Sequence, residues 1–402
     1  QTSLDQEDSS VVLLDTNIIE AQSTNHFEQL VYLIPNLNFA ASDSRARYFQ
    51  IRGIGERSGY QGTPNSSVGF LIDDIDYSGQ GGIATTFDVD QIEIHRGPQG
   101  SRIGANALAG LIYIKTKDPT DEFEAAGEIT LGSYGKRSFG FAVGGPLNEN
   151  KNISYRLALS QDKTDGFRKN LYLKESDTSR KDETTSRFKM NWQMNEKTSI
   201  KLLISLVDLD DPADVWTLDG SLNTLSDRPG MDSQKTNSYG LKVFHNFNGF
   251  DLKSLTSSTN TEAIFSYDAD WGNKDSWNPF VYDYFSETLR DRKTVSQEFR
   301  LVSNEADLAN DEKIEWILGV SYSEIEESNL KNDDGNYSEP SDPYGPYFSQ
   351  SSSSSNYKSE NFSLFGNLGY FLSETLELSL GMRWEDWQSD YVDTLGDSFN
   401  PS

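Results

Sequence analysis

A chain of 402 residues with a formal net charge of −28 has room for two or more domains and would repel nucleic acid. Cysteine is absent, which excludes a disulfide framework, a thiolate metal site and thiol chemistry. Mean hydropathy is −0.63 and no run approaches the roughly 18 apolar residues of a membrane-spanning helix, although strands crossing a membrane alternate faces and escape that test.

Residues 1–10 are polar, and Val11, Val12, Leu13 and Leu14 form a short apolar run read as a strand. Over 24–34 the spacing of Phe27, Leu30, Val31 and Ile34 predicts a helix, capped by Thr24 or Asn25 and ended by Pro35. Residues 49–55 read as a strand entering a glycine turn. Gly53, Gly55 and Gly59 miss a dinucleotide fingerprint, because the third glycine is one place late and no strand-turn-helix unit surrounds it. Residues 68–76 read as another strand. Its carboxylates Asp73, Asp74 and Asp76 lack the spacing of a calcium loop and mark a turn instead.

The stretch 92–116 alternates apolar residues at both ends, Ile92 and Ile94 and then Ile112 and Ile114, around a glycine-rich middle. Gly97, Gly100, Gly104 and Gly110 permit a compact turn or short helix between two strands. Arg96 and Arg102 sit in that region, where a planar guanidinium bridges several acceptors.

After Pro119 the texture changes to alternating segments, about eleven of them and each on the order of 9–15 residues, a length suited to tilted membrane strands. Phe188, Met190 and Trp192 alternate with Arg187, Lys189 and Asn191, and Tyr155 and Leu157 with Arg156 and Ala158. Later segments fall near 236–247, 250–267, 294–303, 313–326, 358–372 and 375–391. In the 294–303 segment Val295, Phe299 and Leu301 face outward, and Ser296, Glu298 and Arg300 inward. Short turns alternate with long loops expected at 208–235, 268–293 and 329–357. The loops hold Trp216, Trp271, Trp277, Tyr282, Tyr284, Tyr337, Tyr344 and Tyr347, candidates for ligand contact, and a serine run at 349–355 expected to be flexible.

Several of these stretches together resemble one family. Arg96-Gly97-Pro98, Gly104, Ala107, Gly110, Ile112, Ile114 and Thr116 match the plug signature of TonB-dependent outer-membrane receptors, with Ala109 where a glycine is usual. Pro35-Asn36, the strand ending Arg52-Gly53, and 68–76 with Asp74 in place of a glycine resemble further plug segments. Residues 296–301 followed by Trp316 to Gly319 resemble a barrel hairpin.

The resemblance implies an α+β plug domain over 1–120, then antiparallel transmembrane β-barrel strands over 121–402. These would be about half of a roughly 22-stranded barrel, so the chain reads as a fragment. It implies plug–barrel contacts among Arg52, Gly53, Arg96, Gly97, Pro98, Arg102, Gly104, Gly110, Glu298 and Arg300, with Glu298 expected as partner of Arg96 and Arg102. Val11 to Asp15 is read as an ordinary plug strand in preference to the segment a TonB-type partner captures.

The function implied is energised uptake of a scarce solute through the outer membrane, a ferric siderophore foremost. Cobalamin, haem, oligosaccharide, or a non-transporting glycan-binding adhesin are the alternatives. The implied partners are outer-membrane lipid, a TonB-type energy-transducing protein and a small ligand such as a ferric chelate. No cofactor, resident metal or catalysis is implied. His26, His95 and His245 are scattered, without ligand or triad spacing.

Overall fold

The structure is a computed structural model, and it describes residues 10–41, 44–57, 66–97, 107–304, 314–373 and 376–394. The first part contains β1 (Ser10–Asp15), α1 (Thr16–Ala21), a 3-10 helix (Phe27–Leu33), β2 (Leu37–Ala41), β3 (Ala46–Ile51), β4 (Val68–Ile72), β5 (Ile75–Asp76), β6 (Val89–Arg96) and β7 (Gly110–Thr116). Five strands form one sheet in the order β1-β6-β7-β4-β5, with β4 and β7 parallel and the other pairs antiparallel. Period-two alternation gives this sheet one apolar face. Phe70, Ile92, Ile94, Ile112 and Ile114 are all at most 1% exposed and pack with Phe27, Leu30, Phe49 and Ile51. The rings of Phe27, Phe49 and Phe70 meet with centroids 5.3 to 6.2 Å apart, and each buried ring contributes about 1.5–3 kcal/mol through area alone.

The helix expected over 24–34 is a 3-10 helix starting at Phe27, and its cap is His26. Thr24 and Asn25 lie before the capping position, with their backbones tied to Thr86: the Thr24 carbonyl accepts from its hydroxyl and the Asn25 carbonyl from its N–H at 3.1 Å. His26 Nδ1 accepts from Glu28 N at 3.2 Å, and Gln29 Oε1 returns to the His26 N–H, which makes a reciprocal capping box. The apolar face of that helix is buried as the spacing predicts. The short helix α1 was not legible in the sequence; Asp15 caps it by accepting from Ile18 N at 2.9 Å. Val11 to Asp15 lies in β1, paired with β6.

The second part is a single antiparallel meander of β8 (Glu124–Leu131), β9 (Arg137–Pro146), β10 (Ile153–Thr164), β12 (Lys181–Asn195), β13 (Thr198–Ala213), β15 (Gly230–Asn246), β16 (Phe250–Asp268), β17 (Val281–Ser303), β18 (Ile314–Ser338), β19 (Tyr347–Ser373) and β20 (Leu376–Asp393). Two-residue strands β11 (Lys169–Asn170) and β14 (Asn223–Thr224) pair with each other outside it. One face of this wall is an apolar belt, with Ile129, Leu131, Leu378, Leu380, Met382 and Trp384 all more than half exposed. The other face takes the plug, and Leu203, Val207 and Leu209 of β13 join the plug's own apolar cluster.

The loops expected at 268–293 and 329–357 are mostly strand. β17 begins at Val281, β18 runs to Ser338 and β19 starts at Tyr347, leaving 269–280 and 339–346 as the connections. The serine run is paired too, with Ser355 opposite Asn329 and Ser351 opposite Asp333. β19 has 27 residues. At about 3.3 Å per residue that far exceeds the roughly 9–11 residues a tilted strand would need to cross a bilayer, so the long hairpins project well beyond the apolar belt. There both faces meet water and apolar alternation is not required, which is why these extensions read as loop. The region 208–235 is likewise shortened to a connection at 214–229 between β13 and β15.

Candidate functional site

The plug meets the wall through ion pairs supplied by inward positions of β10, β12 and β15. Arg156 on β10 donates to Asp88 through Nη2 at 2.5 Å and Nε at 2.9 Å, with both side chains about 5% exposed or less. Lys189 on β12 holds Asp73 at 2.9 Å, Asp118 at 3.2 Å and the Thr116 carbonyl at 2.9 Å. Lys242 on β15 pairs with Asp74, and Asp232 on the same strand with Arg47 of the plug. Arg45, also on the plug side, reaches Glu183 of β12 at 2.5 and 2.7 Å while holding Glu28 at 2.5 Å. Charges this enclosed are tolerated because they are paired, and removing one partner strands the other.

The Asp73–Asp74 turn carries positive φ at both residues, 52° and 72°, a conformation glycine would adopt at less cost. Tertiary contacts hold it. Asp73 accepts from Thr116 N and Oγ1 at 3.0 and 2.6 Å, and Asp74 takes Lys242. Burial opposes ionisation of Asp74, but the Lys242 ammonium outweighs it and holds the carboxyl below its ordinary value. His26 moves down to about 4, through burial first and the Arg45 guanidinium second, so its imidazole is neutral at neutral pH.

Arg96 and Glu298, expected to pair, are not brought together. Arg96 Nη2 donates to Ser10 Oγ at 2.7 Å and Nη1 to the Pro35 carbonyl at 3.5 Å, both within the plug. Strand parity is the reason. On β6, Ile92, Ile94 and Arg96 share the face turned to the plug interior, while Glu93 and His95 face the wall. Glu298 pairs instead with Arg300 on its own strand, and both line the gap opposite Glu93 and His95. Arg52 and Gly53 form the turn after β3 with φ of 54° and 81°, and the Arg52 side chain is exposed. Gly110 is required where it stands, since a Cβ there would lie 2.3 Å from the His95 carbonyl oxygen at φ +153°. Gly97 precedes the stretch holding Pro98, Arg102 and Gly104, which lie outside the described residues. The ionic contacts that do hold the plug, at Asp73, Asp88, Arg45, Arg156 and Lys189, were missed. Their sequence signal is a cation or carboxylate at every second position of a strand, opposite the apolar ones.

Of the eight aromatic loop candidates, four converge. Tyr282 lies 5.3 Å from Trp277, 4.8 Å from Tyr284 and 6.4 Å from Tyr337 between ring centroids. Beside them Arg228 bridges Asp283 at 2.5 Å and Asp334 at 2.8 Å, and its guanidinium lies 5.2 Å from the Phe285 ring. Trp216 packs elsewhere, against Tyr267 and Phe265, and Trp271 is half-exposed in the 269–280 connection. Tyr344 is 84% exposed at the tip of the β18–β19 hairpin, where Tyr347 donates to Asp342 at 2.7 Å. The connections 165–180 and 214–229 are tied by Asp214, which accepts from Asn170 at 3.1 Å, Thr224 at 2.8 Å and Ser226 at 2.6 Å.

A family model described as the TonB-dependent receptor plug domain matches residues 3–111. Residues 3–111 therefore match a TonB-dependent receptor plug domain. The ferripyoverdine receptor of Pseudomonas aeruginosa is 25% identical over 156 residues, which is 38% of this chain and 18% of that protein. The vitamin B12 transporter BtuB of Vibrio vulnificus is 30% identical over 89 residues, 22% of this chain and 14% of the transporter. Among solved structures, the ferric yersiniabactin uptake receptor FyuA from Yersinia pestis superposes with a TM-score of 0.74 at 15% identity, covering 96% of this chain and 61% of that one. The ferripyoverdine receptor of the Pseudomonas aeruginosa outer membrane, bound to ferripyoverdine, gives 0.72 at 17%, covering 97% and 53%. The matched part is thus about a fifth of the curated relatives and a little over half of the solved receptors. The exposed apolar belt is made by strands, and no helix among the described residues is long and apolar enough to cross a membrane.

Proposed function

We propose that this receptor imports a ferric siderophore, driven by a TonB-type partner, with residues 1–120 as plug and 121–402 as barrel wall. The carrying observation is the set of curated relatives matched by sequence, receptors for ferripyoverdine, ferrioxamine B and ferric enterobactin. The aromatic group Trp277, Tyr282, Tyr284 and Tyr337 supports the reading, because rigid amphipathic rings cover a large ligand at low entropic cost. Arg228 is neutralised by two aspartates there, so the loops favour a ligand of low net negative charge. Binding at these loops is followed by movement of the plug, whose ionic ties to the wall break when its N-terminal side is pulled.

Cobalamin is the second reading, favoured by the match to a vitamin B12 transporter. Uptake by iron-starved cells of a panel of labelled ferric chelates, cobalamin, haem and glycans decides between them. Import of a ferric chelate that stops in cells lacking the TonB-type partner is the expected result. Surface binding with no import of any solute would refute transport and favour an adhesin.

A further inference from the structure

Two carboxylates shape the connection 269–280. Asp268 closes β16, and its Oδ1 accepts from the N–H groups of Asp270 and Trp271, both at 3.2 Å. Asp270 repeats the pattern, with Oδ1 accepting from Gly272 N at 3.0 Å. Two further ties fix this turn to the connection 214–229. The Gly272 carbonyl accepts from Asp227 N at 2.9 Å, and Asn273 Nδ2 donates to the Leu225 carbonyl at 2.8 Å. The two acids end up out of water, Asp268 at 4% and Asp270 at 3% exposure.

Asp270 also reaches the aromatic group. Its Oδ2 accepts from Tyr284 N at 2.8 Å, and its Oδ1 from Trp277 Nε1 at 3.4 Å. Tyr284 and Trp277 both pack on Tyr282, at 4.8 and 5.3 Å between ring centroids. One buried carboxylate therefore sets two neighbours of the central ring. Asp268 holds the open atom, because its Oδ2 is buried without a hydrogen-bond partner among the described residues. An ionised carboxylate enclosed beside a second one, with an oxygen unserved, is costly on both counts. A proton on Asp268 Oδ2, donated to the Asp270 carboxylate, removes both costs at once.

We propose that Asp270 is a positioning residue for the aromatic seat, and that one proton shared between Asp268 and Asp270 keeps the seat formed. The inference rests on the reading of Trp277, Tyr282, Tyr284 and Tyr337 as the ligand's seat, and adds what controls it. Burial first and the Asp270 charge second push Asp268 up to about 7, and the Asp227 charge acts the same way. The surrounding elements add Arg228 beside Asp227, Asp283 on β17 and Asp334 on β18, with Lys274 and Asp275 in the connection itself. Arg228 is already held between Asp283 and Asp334. Between 3.8 and about 7 the formed seat binds a proton that an opened connection releases. Opening is therefore suppressed in acid, and the suppression is lost as pH rises through about 7. Above that pH the two charges repel, and the grip on Tyr284 and Trp277 slackens.

Hydrogen exchange of the receptor in detergent tests the proton without any ligand. For peptides spanning 268–285, protection factors should fall about tenfold from pH 6 to pH 8. Asp268→Asn keeps a donor on the Asp270 carboxylate at every pH and should abolish that fall. Asp270→Asn removes the same charge but leaves one acceptor oxygen where two served Trp277 and Tyr284, so it should lower protection about tenfold at both pH values. Equal protection of the unaltered receptor at pH 6 and pH 8, or an unchanged slope in Asp268→Asn, would overturn the shared proton. Matching behaviour of the two variants would reduce the effect to net charge and overturn the positioning role. With labelled ferripyoverdine, ferrioxamine B and ferric enterobactin as probes on intact cells, Asp270→Asn should weaken surface binding about tenfold. Undiminished binding would overturn the positioning role while leaving the transport reading intact. No binding of any probe by the unaltered receptor would count against the seat reading itself, and the exchange slope would still decide the proton.

Discussion

Acidification should loosen the plug at the cap of its 3-10 helix, because His26 is buried there as a neutral base. The imidazole is 1% exposed, accepts from Glu28 N, and has Nε2 at 3.1 Å from the Gly82 carbonyl. The charges around it are Arg45 and Glu28 from the plug and Glu183 and Lys181 from the wall. Its pKa falls from 6.5 to about 4, so between those values the unfolded segment binds the proton and the folded one does not. Stability therefore rises with pH. The contribution is complete above about 6.5 and is lost as pH falls towards 4. Between pH 7 and pH 5 the linkage amounts to about 1.8 kcal/mol, or roughly a 20-fold rise in the opening constant. Hydrogen exchange of the receptor in detergent, expressed as protection factors for peptides spanning 24–34 and 81–86, reads this directly. His26→Gln should flatten the dependence. Equal protection at the two pH values, or an unchanged slope in His26→Gln, would refute the assignment of a neutral buried histidine.

Arg156→Ala leaves Asp88 enclosed without its partner, and plug stability should fall by about 3–5 kcal/mol. A double-mutant cycle with Asp88→Ala should show coupling, and simple additivity would mean that the pair does not hold the plug. Gly110→Ala should cost about 2 kcal/mol or more, since the new methyl meets the His95 carbonyl at a φ that alanine avoids. Exchange protection of β6 and β7 would report it. Tyr282→Ala should weaken ligand binding about tenfold, whereas Tyr344→Ala at the exposed hairpin tip should change it little. Comparable losses in a cell-binding assay would refute the aromatic group as the ligand's seat.

The strands of the plug sheet and the eleven of the wall were legible because burial of one face imposes a period-two pattern on the sequence. Phe188, Met190 and Trp192, or Leu378, Leu380 and Met382, announce a face turned away from water. The heights of β17, β18 and β19 were not legible. Beyond the apolar belt both faces of those hairpins are wet, so Ser349 to Ser355 carry no alternation while their backbones still pair across the ladder. The 3-10 character of Phe27–Leu33 and its histidine cap were likewise hidden. They depend on contacts distant in sequence, with Thr86 tying down the Thr24 and Asn25 backbone and the Gly82 carbonyl meeting the His26 ring at 3.1 Å.

The partners across the plug–wall interface show the same division more sharply. Sequence alone determined that cations and carboxylates stand at inward positions, since alternation fixes which side chains share a face. It also determined the need for glycine at Gly110, inside a stretch whose spacing is specific. Which charge meets which was decided only by the tertiary structure. Arg156 to Asp88, and Lys189 to Asp73, join residues 68 and 116 positions apart. Their meeting depends on how the plug sheet is rotated within the wall. A one-residue difference in strand parity turned Arg96 inward to Ser10 and gave the wall Glu93 and His95 instead. Parity is local and can be read along a strand, but rotation of one domain within another is set by the sum of all its contacts.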